Sequence, residues 1–178
     1  MRKIIIESFW LTAEKWYNID MKIFIGTDHA GYVLKEKLLS FLKLQGHEVV
    51  DKGAFEYRED DDYPDFVIPV AEEISKNPNE VKGIILGGTG EGEAITANRF
   101  PHVRAVTYYG KAECVVDDES NVIIRSRQHN DTNILSLGAR YLTEEKMMEA
   151  VNLWLNTPFS FEERHVRRLA KIEAIKIS

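Results

Sequence analysis

Four glycines within six residues, Gly87, Gly88, Gly90 and Gly92, follow directly on the apolar run Ile84-Ile85-Leu86. No other stretch restricts the fold of this chain as tightly. The apolar run is short and flanked by glycine, the pattern of a strand buried on both faces. The glycines allow positive φ and let the backbone approach a ligand with no Cβ in the way. From Glu93 the pattern turns helical through Ala94, Ile95 and Ala97. A strand, a glycine turn and a helix start direct several backbone N–H groups at one spot, which makes an anion site.

Two common motifs fail here for chemical reasons. A phosphate-binding P-loop has the Gly87-to-Gly92 spacing, but Glu93-Ala94 stands where lysine and a hydroxyl belong, so nothing holds a γ-phosphate or its magnesium. The dinucleotide fingerprint needs a third glycine after Gly88 and Gly90, and Glu93 occupies that place. An acid there faces a pyrophosphate, so nucleotide binding is disfavoured. Near a helix N-terminus the dipole favours the ionised carboxylate. Such a group can take a proton from carbon while neighbouring amides stabilise the oxyanion that results. Read from the loop alone, a first-turn acid that complements the dipole is the simpler account of Glu93.

At 178 residues the chain suits one domain with a proper core, and 44% apolar with 29% charged content is ordinary for a globular protein. A net charge of −6 with no basic tract argues against a nucleic-acid surface. The lone Cys114 cannot form an internal disulfide, which fits a reducing cytoplasm. No apolar run approaches the roughly 20 residues of a membrane span. Ile4-Ile5-Ile6 after Arg2-Lys3 hints at a secretory signal, but Glu7 interrupts it and no small-residue cleavage site follows. Met21 stands before the strand KIFIG, so residues 1–20 read as an extension and 21–178 as the domain. Trp10 and Trp16 give that extension too much aromatic surface for a solvated tail, which suggests packing on the domain or a partner chain.

Strands are expected at Lys22–Gly26, His47–Asp51, Gly83–Gly87, Arg104–Tyr108 and Asn133–Gly138. The helix running to Gln45 places Val33, Leu34, Leu38, Phe41 and Leu42 on one face and Lys35, Lys37 and Lys43 outside, with Gly46 as its C-terminal cap. Residues Tyr57 to Asp65 read as a solvated acidic loop. Pro64 fits a helix start, while Pro69 then falls inside that helix. Thr143 caps one late helix, and Ser160-Phe161-Glu162-Glu163 reads as a capping box for another. Alternating strands and helices imply right-handed βαβ units in an α/β fold. The expectation is a three-layer α/β/α sandwich, Rossmann-like, on a five-stranded parallel sheet. Ligands then bind beyond the strand C-terminal ends, where Asp28, His29 and the glycine loop share a crevice. Arg127 to Asp131 reads as a polar loop carrying His129; Arg164 and Arg168 fall on one face of the last helix, with His165 beside them.

Taken together, GTDHAG (Gly26 to Gly31), GGTGEGEAITANR (Gly87 to Arg99), RQHNDTN (Arg127 to Asn133), LGAR (Leu137 to Arg140) and ERHVRR (Glu163 to Arg168) resemble, in order, the family of ribose-5-phosphate isomerase B and the galactose-6-phosphate isomerase subunits. The resemblance runs from Met21 nearly to the C-terminus. It implies an aldose–ketose isomerase of a phosphorylated sugar that works through a cis-enediolate without metal or other cofactor, ribose 5-phosphate being the default substrate. The competing reading is a non-catalytic sugar-phosphate or nucleotide-binding module.

Under that resemblance His129, with Asp28 nearby, assists opening of the furanose ring. The loop from Gly88 through Gly90 and Glu91 to Gly92 holds the enediolate oxygen, and Thr89 bonds the sugar oxygen. Arg140, Arg164 and Arg168 hold the phosphate with His29 close by, and Asn130 positions the sugar. A pocket shared between two subunits is implied, hence a homodimer or a dimer of dimers. Many members carry a cysteine base at the end of the third strand, where this chain has Gly87. Another branch has glycine there and glutamate six residues on, which matches Glu93 and makes it the expected base ahead of Cys114. Between Tyr109 and Arg127 the chain is longer than the family's usual loop by several residues, including Asp117-Asp118-Glu119. That insertion either reshapes the sugar end of the pocket or is a tolerated surface loop.

Overall fold

Strand β1 (Lys22–Thr27) alternates its side chains so that Ile23 and Ile25 enter one apolar layer and Phe24 the other. The same alternation in β3 (Val81–Gly87) sends Ile84 and Leu86 one way and Ile85 the other, so both faces of the sheet are covered. The computed structural model describes residues 21–110 and 121–175; expectations for residues 1–20, for Cys114 and for Asp117 to Glu119 fall outside them. Strands β2 (Glu48–Asp51), β4 (Ala105–Tyr108) and β5 (Ile134–Gly138) complete a five-stranded, all-parallel sheet in the order β2-β1-β3-β5-β4. Helices α1 (Tyr32–Leu44), α4 (Val122–Asn130) and α5 (Glu144–Asn156) pack on one face; α2 (Pro64–Lys76) and α3 (Glu91–Ala97) pack on the other. Helix α6 (Glu163–Glu173) lies against α4. This is the three-layer α/β/α architecture expected from the alternation of elements.

Local chemistry sets most element ends. Gly46, at φ 91°, follows α1, and its N–H reaches the Lys43 carbonyl while His47 N–H reaches Leu42. That is a Schellman closure, which favours glycine at the left-handed residue. Pro64 opens α2 at its first position and Pro69 sits inside the same helix, so the helix carries the interior proline rather than starting later. Thr143 caps α5 by accepting the Lys146 N–H.

Several expectations are corrected. The capping box at Ser160 does not form: Glu162 is the N-cap of α6 and makes no side-chain cap bond, while Ser160 Oγ lies 2.8 Å from His165 Nδ1. Arg127 to Asn130 is the last turn of α4 and not a loop. Val33, given to the buried face of α1, is exposed, and Lys35, given to solvent, is fully buried. Its Nζ bonds Asp51 Oδ2 at 2.6 Å and the Ala54 carbonyl at 2.8 Å, which offsets the desolvation of the ammonium.

Candidate active site

The strand order reverses between β1 and β3, so the chains leaving them diverge and open a crevice at their C-terminal ends. Thr27 closes its floor by donating Oγ1–H to the Leu86 carbonyl at 3.0 Å. Asp28 follows, buried, its carboxyl accepting the Ala30 N–H at 3.0 Å. Burial pushes the Asp28 carboxyl above the usual carboxylate range, against the Ala30 bond and the charge of His29.

Across the crevice, Glu93 is only 4% exposed, and its side chain turns back beneath the glycine loop. A Cβ built on Gly87 falls 1.6 Å from Glu93 Oε1 and 2.1 Å from Cδ. The carboxyl therefore occupies the space that any side chain at position 87 needs, so the two residues form one feature. Gly90, at φ 82°, makes the turn into α3 and its carbonyl accepts from Ser136 Oγ at 2.5 Å. The expectation that the helix terminus keeps Glu93 readily ionised is corrected. Burial raises its pKa, as do the charges of Asp28 and Glu91, and the amides of Glu93 and Gly90 offset this only in part.

The remaining residues expected at this end gather around the same crevice. The Arg140 guanidinium packs over Gly88, 3.3–3.5 Å from where a Cβ stands there. Thr89 is exposed, its Oγ1 accepting the Glu91 N–H at 3.2 Å, and the Glu91 carboxylate turns toward Thr107 Oγ1 at 3.3 Å. Gly92 lies against the Tyr63 ring, which a Cβ approaches to 2.9 Å. His29 is gripped by Asp61, whose Oδ1 accepts the backbone N–H at 3.1 Å and lies 2.7 Å from ring Nδ1. The acidic loop read as solvated is thus part of the site through Asp61 and Tyr63. Pro64 at the first position of α2 was the available signal, because it brings the loop before it to the end of β1. The side-chain N and O atoms of Asp28, His29 and Asp61 lie within 4.8 Å of one another, and His29 and Asp61 engage each other directly.

His129, Asn130, Arg164 and Arg168 lie elsewhere. Helix α4 precedes β5 and runs against it, so its last turn sits at the N-terminal edge of the sheet. The five residues of β5 alone span roughly 16 Å, so one chain does not bring His129 to Asp28 or Glu93. A second polar cluster forms at this edge. The His129 and His165 rings stack with centroids 4.2 Å apart, and His129 Nε2 lies 3.3 Å from Arg125. Burial lowers the His129 pKa, helped by the nearby charges of His165, Arg125 and Arg164. Arg164 bonds Glu162 at 2.8 Å and Asn130 and Arg168 are exposed, while an open groove of about 460 Å³ runs along another face of α6, lined by Phe159, Phe161 and Val166. Arg127 pins the cluster: it bonds Asp131, the Thr132 carbonyl and the Thr157 carbonyl at 2.6–3.1 Å, tying α4 to the segment that enters α6.

The chain has relatives among known proteins. Ribose-5-phosphate isomerase B of Mycobacterium tuberculosis is 37% identical over 149 residues, covering 84% of this chain and 86% of its own. The enzyme of the same name from Escherichia coli is 38% identical over 156 residues, covering 87% and 96%. The crystal structure of ribose-5-phosphate isomerase B from Mycoplasma genitalium with bound ribulose-5-phosphate superposes with a TM-score of 0.76 at 35% identity, covering 86% of this chain and 94% of that one. Residues 23–172 match the model of the ribose/galactose isomerase family, a span that takes in both polar clusters, and the chain belongs to that family.

Proposed function

We propose that this protein is an aldose–ketose isomerase that interconverts ribose 5-phosphate and ribulose 5-phosphate by moving a proton between C2 and C1 of the open-chain sugar. The observation that carries this reading is the Glu93 carboxyl, buried under the glycine loop in the space vacated by Gly87. A base whose pKa is raised toward neutrality takes a proton from carbon more readily than an ordinary surface carboxylate. Amides and the Thr89 hydroxyl along the Gly88–Gly92 turn face the oxygens on which charge develops, and fixed dipoles there lower the barrier with little reorganisation. Arg140 and His29 attract the phosphate at one end of the crevice.

His129, Asn130, Arg164 and Arg168 complete the pocket from a second copy of the chain. In that arrangement His129, kept neutral near pH 7 by its surroundings, faces the ring oxygen and hemiacetal hydroxyl, with the other protomer's Asp28 opposite. The unit of function is thus a homodimer, alone or paired into a tetramer. The domain spans residues 21–178, residues 1–20 are an extension of it, and the setting is the cytoplasm.

Solvent exchange tests the chemistry. Incubated with ribose 5-phosphate in heavy water, the native protein is expected to place deuterium at C2, and Glu93→Gln to lose that exchange by a factor of at least about 10³. Exchange that persists unchanged in Glu93→Gln removes Glu93 from the mechanism. No exchange with any phosphorylated tetrose, pentose or hexose favours a binding module.

A further inference from the structure

Asp61 spends a nearly buried carboxylate, its side chain 8% exposed, on one residue 32 positions away. A single oxygen, Oδ1, receives both the backbone N–H of His29 at 3.1 Å and ring Nδ1 at 2.7 Å. Two bonds to one acceptor from the main chain and side chain of the same residue fix the imidazole plane and leave Nε2 as its free end. The other oxygen, Oδ2, is buried with no hydrogen-bond partner. A carboxylate so placed is poorly compensated unless the imidazole beside it is protonated. The groups facing His29 are Asp28 from its own turn, Asp61 from the acidic loop and Arg140 from the turn after β5, with the Tyr57 ring edge-on at 6.3 Å. The carboxylates outnumber the guanidinium, and the Asp61 bond is the largest influence in raising the His29 pKa.

We infer that Asp61 is a positioning residue, which aims His29 into the crevice and keeps it an imidazolium whose Nε2–H binds the phosphate end of the substrate. Its use in binding rests on the proposed isomerase reading; its effect on His29 does not. Asn at position 61 retains an acceptor for Nδ1–H and removes the charge, so it separates aim from electrostatics.

The test follows the histidine ring nitrogens by NMR in full-length native protein and in Asp61→Asn between pH 5 and 9, alongside KM and kcat for ribose 5-phosphate. In the native protein His29 is expected to titrate above the ordinary histidine range. In Asp61→Asn its midpoint falls, KM at a pH between the two measured midpoints rises about tenfold, the worth of one charge-assisted hydrogen bond, and kcat stays within about twofold. The KM difference closes below both measured midpoints, where both imidazoles are protonated. A native midpoint at or below the ordinary value, or one that Asp61→Asn leaves in place, overturns the inference. The native measurement decides even if the variant folds poorly. A midpoint that falls while KM keeps its pH profile upholds Asp61 and instead removes His29 from phosphate binding.

Discussion

At the scale of residues, the site depends on one pair, Gly87 and Glu93. The 1.6 Å between a Cβ at position 87 and Glu93 Oε1 leaves no room for both, so Gly87→Ala must drive the carboxyl from its place. Misplacement of a catalytic group by about 1 Å costs on the order of 10²-fold, so kcat is expected to fall by about that factor with a lowered Tm. Adding Glu93→Ala should recover Tm and not kcat, a coupling that a double-mutant cycle reads directly. The titration of Glu93 gives a second prediction. Its folded pKa is raised above the ordinary 4.5, so the folded state binds the extra proton between those two values. Stability therefore falls as pH rises through that window, and the cost is full above it. Glu93→Gln should melt higher than the native protein at pH 7, with the difference gone by about pH 4. The acid limb of kcat/KM should lie above the ordinary glutamate range. Both carboxyls of the crevice, Asp28 and Glu93, were legible in the sequence from the turns they follow. The space-filling relation between Gly87 and Glu93 was not, because no spacing rule shows that a side chain at position 93 folds back onto position 87.

At the scale of elements, the sequence was most informative where chemistry is local. A short apolar run between glycines marked β3, and Gly46 marked the end of α1. Gly46→Ala should destabilise the protein by about 1–2 kcal/mol, the cost of a Cβ in the left-handed region, measured by denaturant midpoint with m unchanged. What escaped the sequence was decided by tertiary contacts. Lys35 looked like a surface lysine on α1, but Asp51 at the end of β2 and the Ala54 carbonyl draw it inside. Ser160 and Glu163 have the spacing of a capping box, but the Ser160 hydroxyl is taken by His165 and its backbone N–H by the Gln128 carbonyl. The acidic loop looked solvated because its composition is polar; its position, set by α2 beginning at Pro64, turns Asp61 toward His29.

At the scale of the whole molecule, the two polar clusters lie at opposite edges of one parallel sheet. Glu93, Asp28, His29 and Arg140 follow strand C-termini, whereas His129 and α6 sit where strands begin. No side-chain rotation spans a sheet, so a pocket that uses both clusters must join two copies. In a two-fold dimer each contact occurs twice, which makes two equivalent pockets with one cluster from each chain. Mixing inactive variants tests this arrangement. One variant carries Glu93→Gln; the other carries His129→Ala and Arg168→Ala. In a mixed dimer one pocket collects every defect and the other collects none. If the chains assort at random, half of the dimers are mixed and each has one intact pocket of two, so activity should recover to about a quarter of native. The recovery should appear only after the variants are co-expressed or refolded together, and it should follow the fraction of mixed dimers seen by native mass spectrometry. Mixed dimers that form without activity would mean that the two clusters do not combine across the interface, and a His129→Ala, Arg168→Ala variant that stays active by itself would mean that catalysis rests on the Glu93 crevice of each chain alone.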